Sequence, residues 1–528
     1  MIHENLLLII ALLFAVSLLS VIGEKLRISY PIFLVIAGLG ISFIPNVPQV
    51  KLDPDMVFLV FLPVLLCSAA WNTSWTDFVR FRRPINMLAF GLVITTATAV
   101  AFVSSSMIPG FTLALGFVLG GIVSPPDAVA ATSVMEHIKL PKHIVVILEG
   151  ESLVNDASSL IILRVAMAAV ITGNFVFWKA GADFIVVTLG GVVIGLAIAL
   201  IIYGLFRFLP TTSSIDTAIT LVAPYLMYLI AEELHVSGVL SVVSGGLFLS
   251  AKSHEVFSYN SRLQARSVWA TIVYLFNGLV FILIGLQLHQ IVEGLGQYNL
   301  KEAIFYGLII SLTAIIVRIA WVFTSAYVLR LLGRYFTFTG LKPSWRQLFI
   351  VSWSGMRGVV SLAAALAIPF ALGSGERFPH RNLILFITFT VILITLVVQG
   401  ISLPFIVRFL KIEPEENKDE ELKLQMAIAA AVVSFVDENY ADHLSANDSI
   451  RHTRNHYQNI VDIEQKRLEK DENDTVSTRV TIHRKFVADV LQVKREELEH
   501  FRKQNAFSSA LLNKLERQLD LEEARLKR

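Results

Sequence analysis

Charge is scarce in this sequence: Asp, Glu, Lys and Arg make up 16% of its 528 residues, where soluble domains carry about a quarter. With 55% hydrophobic residues and a mean hydropathy of +0.66, this argues against a soluble fold. Cysteine is nearly absent, and a single residue, Cys67, excludes an internal disulfide framework. Nor is there a strong excess of one sign. The first 410 residues hold 24 basic and 18 acidic residues, and residues 411–528 hold 20 and 24, so neither part has the balance of a nucleic-acid binder. The start, Met1–Glu4, lacks a basic region, and no A-x-A-like site follows the apolar run Leu6–Ile22. That run reads as a first spanning helix, not a cleavable signal.

What the sequence has is long apolar runs. A membrane-crossing helix needs about 20 mostly apolar residues. Thirteen candidates emerge, at roughly 5–22, 30–46, 56–71, 85–107, 112–135, 143–172, 184–208, 216–232, 235–251, 268–291, 302–330, 346–371 and 383–410. The second, third, eighth and ninth are short. Loop charge alternates, as it does when basic residues stay cytoplasmic. One set of loops carries fourteen: Lys25 and Arg27; Arg80, Arg82 and Arg83; Lys139 and Lys142; Arg207; Lys252, Arg262 and Arg266; Arg334, Lys342 and Arg346. The other carries five: Lys51, Lys179, Lys301, Arg377 and Arg381. The expectation is a multi-pass all-α protein of the cell membrane with its N-terminus outside and its tail in the cytoplasm. Residues 1–410 form the membrane domain, and 411–528 a helical cytoplasmic domain. The tail opens on an acidic stretch, Glu413–Glu421, where Pro414 stops the last spanning helix. Amphipathic periodicity then returns over Leu422–Asn439, His456–Asp471 and Val480–Leu526. This pattern suits a solvated helical bundle, with regulation or dimer stabilisation as possible roles. No nucleotide fingerprint or metal cluster occurs in the tail, and no cofactor is implied.

Ionisable groups at membrane depth are costly unless paired or hydrated, so each is a functional candidate. Those near segment centres are Asp127, Glu149, Glu151, Asp156, Arg164, Arg318 and Arg357. Segment five contains Ser124-Pro-Pro-Asp127, whose tandem prolines remove two donors and break the helix. Asp127 beside the break either caps the half-helix that follows or ligates a cation. Segment six contains Glu149-Gly-Glu-Ser-Leu-Val-Asn-Asp156, in which Ser152 stands three and four residues before Asn155 and Asp156. Helical spacing thus gathers hydroxyl, amide and carboxylate oxygens on one side. Such oxygens suit a hard monovalent cation, and a buried carboxylate holds either that cation or a proton. The plainer alternative makes Asp156 a hydrogen-bonded strut. In segment twelve, Ser352-Trp-Ser-Gly-Met-Arg-Gly358 sets Arg357 between two glycines that admit close neighbours. Its expected partner is Glu151, with Glu149 as the alternative, leaving Asp156 to titrate. Arg318 needs an acceptor, and Arg164 points to the cytoplasmic vestibule or to a neighbouring acid. His137, His143 and His254, on or near loops, suit either pH sensing or no role.

These three motifs, in this order, resemble the NhaP/NHE-type sodium/proton exchangers across most of residues 1–410. The resemblance implies two inverted six-helix repeats, with broken helices in segments five and twelve crossing near the bilayer centre. It implies electroneutral exchange of Na⁺, with K⁺ or Li⁺ as alternatives, for H⁺, in a homodimer working by elevator-like alternating access. It also assigns Ser152, Asn155 and Asp156 to the ion site and Glu151 with Arg357 to a stabilising ion pair. Two positions depart from the pattern of many relatives. Pro126 stands where a threonine precedes the aspartate, and Ser68 where an acid follows Pro-Pro-Leu-Leu. Both remove oxygen or charge near Asp156 and bear on the cation chosen. Ala70-Trp-Asn-Thr-Ser-Trp75 matches bacterial members. Two other classes compete: a cation channel or membrane sensor signalling through the tail, and an intramembrane enzyme, for which neither H-E-x-x-H nor a protease-like aspartate pair is found.

Overall fold

The structure, a computed structural model, describes residues 2–26, 29–44, 56–135, 140–173, 177–296, 298–332, 344–372, 376–412, 418–444, 447–468 and 489–498, with residues 500, 504, 515, 519, 522 and 523. Arg27, Lys51, His137, Lys139, Arg334, Lys342, Pro414 and most of the third amphipathic run of the tail lie outside these residues. The described chain is helical without strands, apart from a lone bridge between Ala371 and Arg377. It divides into two compact units, Met1–Glu415 and Glu416–Arg528.

Backbone polar groups cannot be left to lipid, so apolar chain of this kind must close its hydrogen bonds within helices. Among the described residues, seven helices of the first unit are long and apolar enough to cross a membrane: Arg82–Met107, Lys142–Thr172, Gly181–Phe208, Ser213–Glu233, Tyr259–Glu293, Leu300–Val328 and Arg381–Phe409. They coincide with segments four, six, seven, eight, ten, eleven and thirteen. Shorter apolar helices, Ile9–Gly23, Tyr30–Ser42, Val57–Asn72 and Leu113–Val123, fall on segments one, two, three and the first half of five. Gly238–Val256 supplies segment nine. Segment eight is longer than its apolar run suggests, because its first turn is the polar Ser213–Asp216.

Segments five and twelve are broken, as expected. Leu113–Val123 ends at Ser124 and helix resumes at Ala128–Met135, while Trp345–Trp353 ends at Ser354 and helix resumes at Val359–Leu366. Three other segments carry a π turn, at Val57–Phe61, Met87–Leu92 and Thr395–Gln399. A π turn widens the helix and frees carbonyls. In segment four these find new donors: Met87 O accepts from Trp321 Nε1 at 3.0 Å and Ala89 O from Ser158 Oγ at 2.6 Å.

The apolar side chains form two buried clusters. One unites residues of segments one to six and ten to thirteen; the other joins segments three, six, seven, eight and nine. Segment six belongs to both, through Ile144, Leu148 and Ala166 in the first and Leu153 and Ala157 in the second. Asn155 and Asp156 thus sit where two packed bodies meet.

In the second unit, Lys418–Asn439 and Asp448–Leu468 pack as a helical hairpin. Arg454 clamps Asp437 from both nitrogens at 2.6 and 2.8 Å.

Candidate ion-binding site

The two breaks lie against each other. Asp127 N–H donates to Met356 O at 2.7 Å, and Arg357 Nε donates to Val123 O at 2.9 Å. Asp127 directly precedes the half-helix Ala128–Met135, and its carboxylate packs against Gly358, the N-cap of Val359–Leu366. One acid therefore stands where two half-helix N-termini converge, and its charge offsets both positive ends. A Cβ on Gly358 would overlap the Asp127 carboxylate, and one on Gly355 would overlap the stem of Arg318. The two glycines flanking Arg357 are thus required by what they admit.

The C-terminal ends of the half-helices face the two buried arginines. Arg318 reaches from segment eleven, donating Nε to Ser352 O and Nη2 to Val351 O, each at 3.1 Å. Its fork closes on Glu151, Nη1 to Oε1 at 2.5 Å and Nη2 to Oε2 at 2.8 Å, with both side chains at most 1% exposed. Arg357 donates to Val123 O and Gly355 O, and its own N–H donates to Thr395 Oγ1 at 3.0 Å. The expected pairing of Glu151 with Arg357 is corrected here: the guanidinium on Glu151 is that of Arg318. Both guanidinium groups answer orphaned carbonyls of the breaks, but only that of Arg318 also presents its fork to Glu151 as a bidentate pair. Arg164 pairs with Glu232 at 3.3 Å, on a half-exposed surface at the far end of segment six from Lys142. It meets a neighbouring acid.

Asn155 is fully buried, and its Nδ2 donates to Pro126 O at 3.1 Å, tying segment six to the break of segment five. Pro126, whose side chain offers no ligand, serves here through its carbonyl. Asn155 Oδ1 has no partner among the described residues. Asp156 is 7% exposed, and among the described residues its carboxylate has no hydrogen-bond or ion-pair partner. It lies within electrostatic range of Asp127. A narrow crevice at the breaks is lined by Pro126, Asp127, Leu148, Glu151, Ser152, Arg318 and Ser354, and Asp156 is not among its walls. The structure therefore brings Asp127, Glu151, Ser152, Asn155, Asp156 and Arg357 to one locus and adds Arg318 and Thr395. Thr395 carried no sequence signal, being a hydroxyl in an apolar run. Arg318 carried half of one: its need for an acceptor is legible, its partner is not.

The transmembrane part of the sodium/hydrogen exchangers matches this chain over residues 8–409. The chain belongs to the sodium/hydrogen exchanger family. It is therefore a secondary transporter and not an enzyme. Across 99% of its length it is 32% identical to an uncharacterized Na⁺/H⁺ exchanger of Mycobacterium tuberculosis, covering 96% of that protein. It is 33% identical over 76% of its length to the sodium, potassium, lithium and rubidium/H⁺ antiporter of Bacillus subtilis, spanning 61% of that relative. In fold it is similar to the sodium proton antiporter MjNhaP1 of Methanocaldococcus jannaschii, with a TM-score of 0.63 and 19% identity, covering 78% of this exchanger and all of MjNhaP1.

Proposed function

We propose that this exchanger carries Na⁺, with K⁺ and Li⁺ as further substrates, against H⁺ with no net charge moved, and that Asp156 holds cation and proton in turn. The observation that carries the reading is that adjacent residues of segment six bury an amide oxygen with no hydrogen-bond partner among the described residues, Asn155 Oδ1, and a carboxylate, Asp156. A carboxylate kept from arginine and from hydrogen-bond donors has two ways to be neutral, a proton or a cation, and these exclude each other. Ser152 and Asp127 border the crevice and complete the oxygen set. Glu151 with Arg318, and Arg357 on the break carbonyls, hold the crossing in shape. Asp156 at the seam of two packed bodies suits alternating access, with one body sliding against the other. The cation range takes support from the breadth in the name of the Bacillus subtilis relative. The further parts of the reading are thirteen crossings, N-terminus outside, tail in the cytoplasm, and a homodimer.

The test is cation-driven pH change in dye-loaded proteoliposomes with Li⁺, Na⁺, K⁺ and Rb⁺. Wild type acidifies or alkalises the lumen according to the gradient, insensitive to an imposed membrane potential, and Asp156→Asn abolishes the response. Undiminished exchange in Asp156→Asn removes this assignment, and cation flux without a pH change makes the protein a channel.

A further inference from the structure

At the start of segments eight and ten, a second acid is buried with one carboxylate oxygen unpaired among the described residues. Asp216 stands in the first turn of Ser213–Glu233 at 5% exposure, and its Oδ1 has no hydrogen bond among the described residues. Sequence reading passes over it because it lies next to a loop, where an acid ordinarily serves the helix dipole in contact with water. Here it does not face water. Segments eight and ten run side by side in constant register: Ser261 Oγ lies 3.4 Å from Ser213 Oγ, Gln264 Nε2 3.3 Å from Ser214 Oγ, and Trp269 Nε1 3.1 Å from Thr220 Oγ1, at sequence offsets of 48, 50 and 49. That register sets Asp216 opposite Ala265, the smallest and a buried side chain of the facing stripe. Ser258 Oγ, 2.8 Å from Ser261 Oγ, extends the row of hydroxyls to the exposed end of segment ten.

The buried neighbours offer oxygens, and the two arginines adjoining Ser261 and Ala265, Arg262 and Arg266, are exposed. Among the described residues Asp216 has no ion-pair partner, and Arg262, next to Ser261, donates to Phe257 O at 2.6 Å. A buried carboxylate with one oxygen unsatisfied gains from a ligand for that oxygen. Hydroxyls two to three bonds from their backbones turn either way, so the row of Ser213, Ser258 and Ser261 can present lone pairs to an ion as readily as to each other. We propose that the Asp216 carboxylate with the hydroxyls of Ser213, Ser258 and Ser261 forms a second monovalent-cation site, entered from the exposed Ser258 end and separate from Asp156. Its place between segments eight and ten, outside the crossing, makes it a site of occupancy and not of transport. A bound cation there ties the two helices together and adjusts exchange to the cation level on that side of the membrane.

The site is read by thermal unfolding of the full-length purified exchanger in NaCl against choline chloride at constant ionic strength. Selective binding to the folded state raises the midpoint by about 1–3 °C at tenfold excess over Kd. The Asp156→Asn protein keeps a sodium-dependent rise, and the Asp156→Asn/Asp216→Asn protein loses it. Loss of the whole rise in Asp156→Asn alone overturns the proposal, as does an unchanged rise in the double variant. A rise undiminished by Asp156→Asn but abolished by Asp216→Asn would instead count against the transport-site reading. If Asp216→Asn fails to fold, Ala265→Leu in the Asp156→Asn background fills the space beside the acid. It is expected to raise the half-saturating sodium concentration threefold or more, and an unaltered value overturns the proposal.

Discussion

Arg318 and Arg357 differ by what surrounds them, though both are fully buried guanidinium groups on neighbouring segments. Arg318 answers two carbonyls and one carboxylate, so its charge is matched. Arg357 answers only carbonyls, and its Nη2 is left over among the described residues. The matched pair makes a clear expectation for stability. Glu151→Gln leaves Arg318 as an uncompensated buried charge, a loss of about 3–5 kcal/mol. Replacing both partners, Glu151→Met with Arg318→Leu, recovers part of that loss. Recovery stays incomplete, because Val351 O and Ser352 O then have no donor. Unfolding midpoints in detergent measure both effects, and a Glu151→Gln protein as stable as wild type refutes the pairing.

Helix breaks and π turns are the elements that build the site, and each leaves carbonyls that something must satisfy. The prolines at 125 and 126 announce one break, and Gly355 with Gly358 permit the other. The π turns had no such announcement. Met87–Leu92 and Thr395–Gln399 are set by what packs on them, Trp321 and Ser158 on the first and the Arg357 backbone on the second. In the tail the hairpin carries an ion pair that pH can open. The hydrogen bonds from Arg454 hold the Asp437 carboxyl below its ordinary range. A carboxyl depressed in the folded state stabilises it above the unfolded value, and that contribution disappears as pH falls through the folded value. Asp437→Asn is therefore expected to lower hydrogen-exchange protection over 418–468 at pH 7, modestly since both groups are exposed. The ratio of wild-type to Asp437→Asn protection, which cancels intrinsic exchange, should fall towards one as pH drops below the ordinary aspartate range. A ratio constant from pH 7 to pH 3 would show that the pair does not hold the hairpin.

At the scale of the whole molecule, the sequence made the segments, the two breaks and the cluster on segment six legible, because apolar length, tandem proline and helical spacing are local signals. It did not reveal which buried arginine meets Glu151, since both lie far from it in sequence and only packing decides between them. It also missed Asp216, whose burial comes from the register of two helices. Orientation rests on loop charge alone, fourteen basic residues against five, and the lone thiol makes it directly measurable. Cys67 is 2% exposed, so the native protein offers almost nothing to a membrane-impermeant maleimide. A cysteine at Thr76, on the short helix Trp75–Arg80 between segments three and four, belongs to the basic set of loops, and one at Lys301, before segment eleven, to the other. Both positions are exposed. In right-side-out vesicles Lys301→Cys is expected to label and Thr76→Cys to stay silent until the membrane is opened. Segments four to ten separate the two positions by an odd number of crossings, so the same pair also tests the parity of the count between them. Labelling of both from outside would mean that one segment in this stretch does not cross, and labelling of Thr76→Cys alone would turn the molecule over.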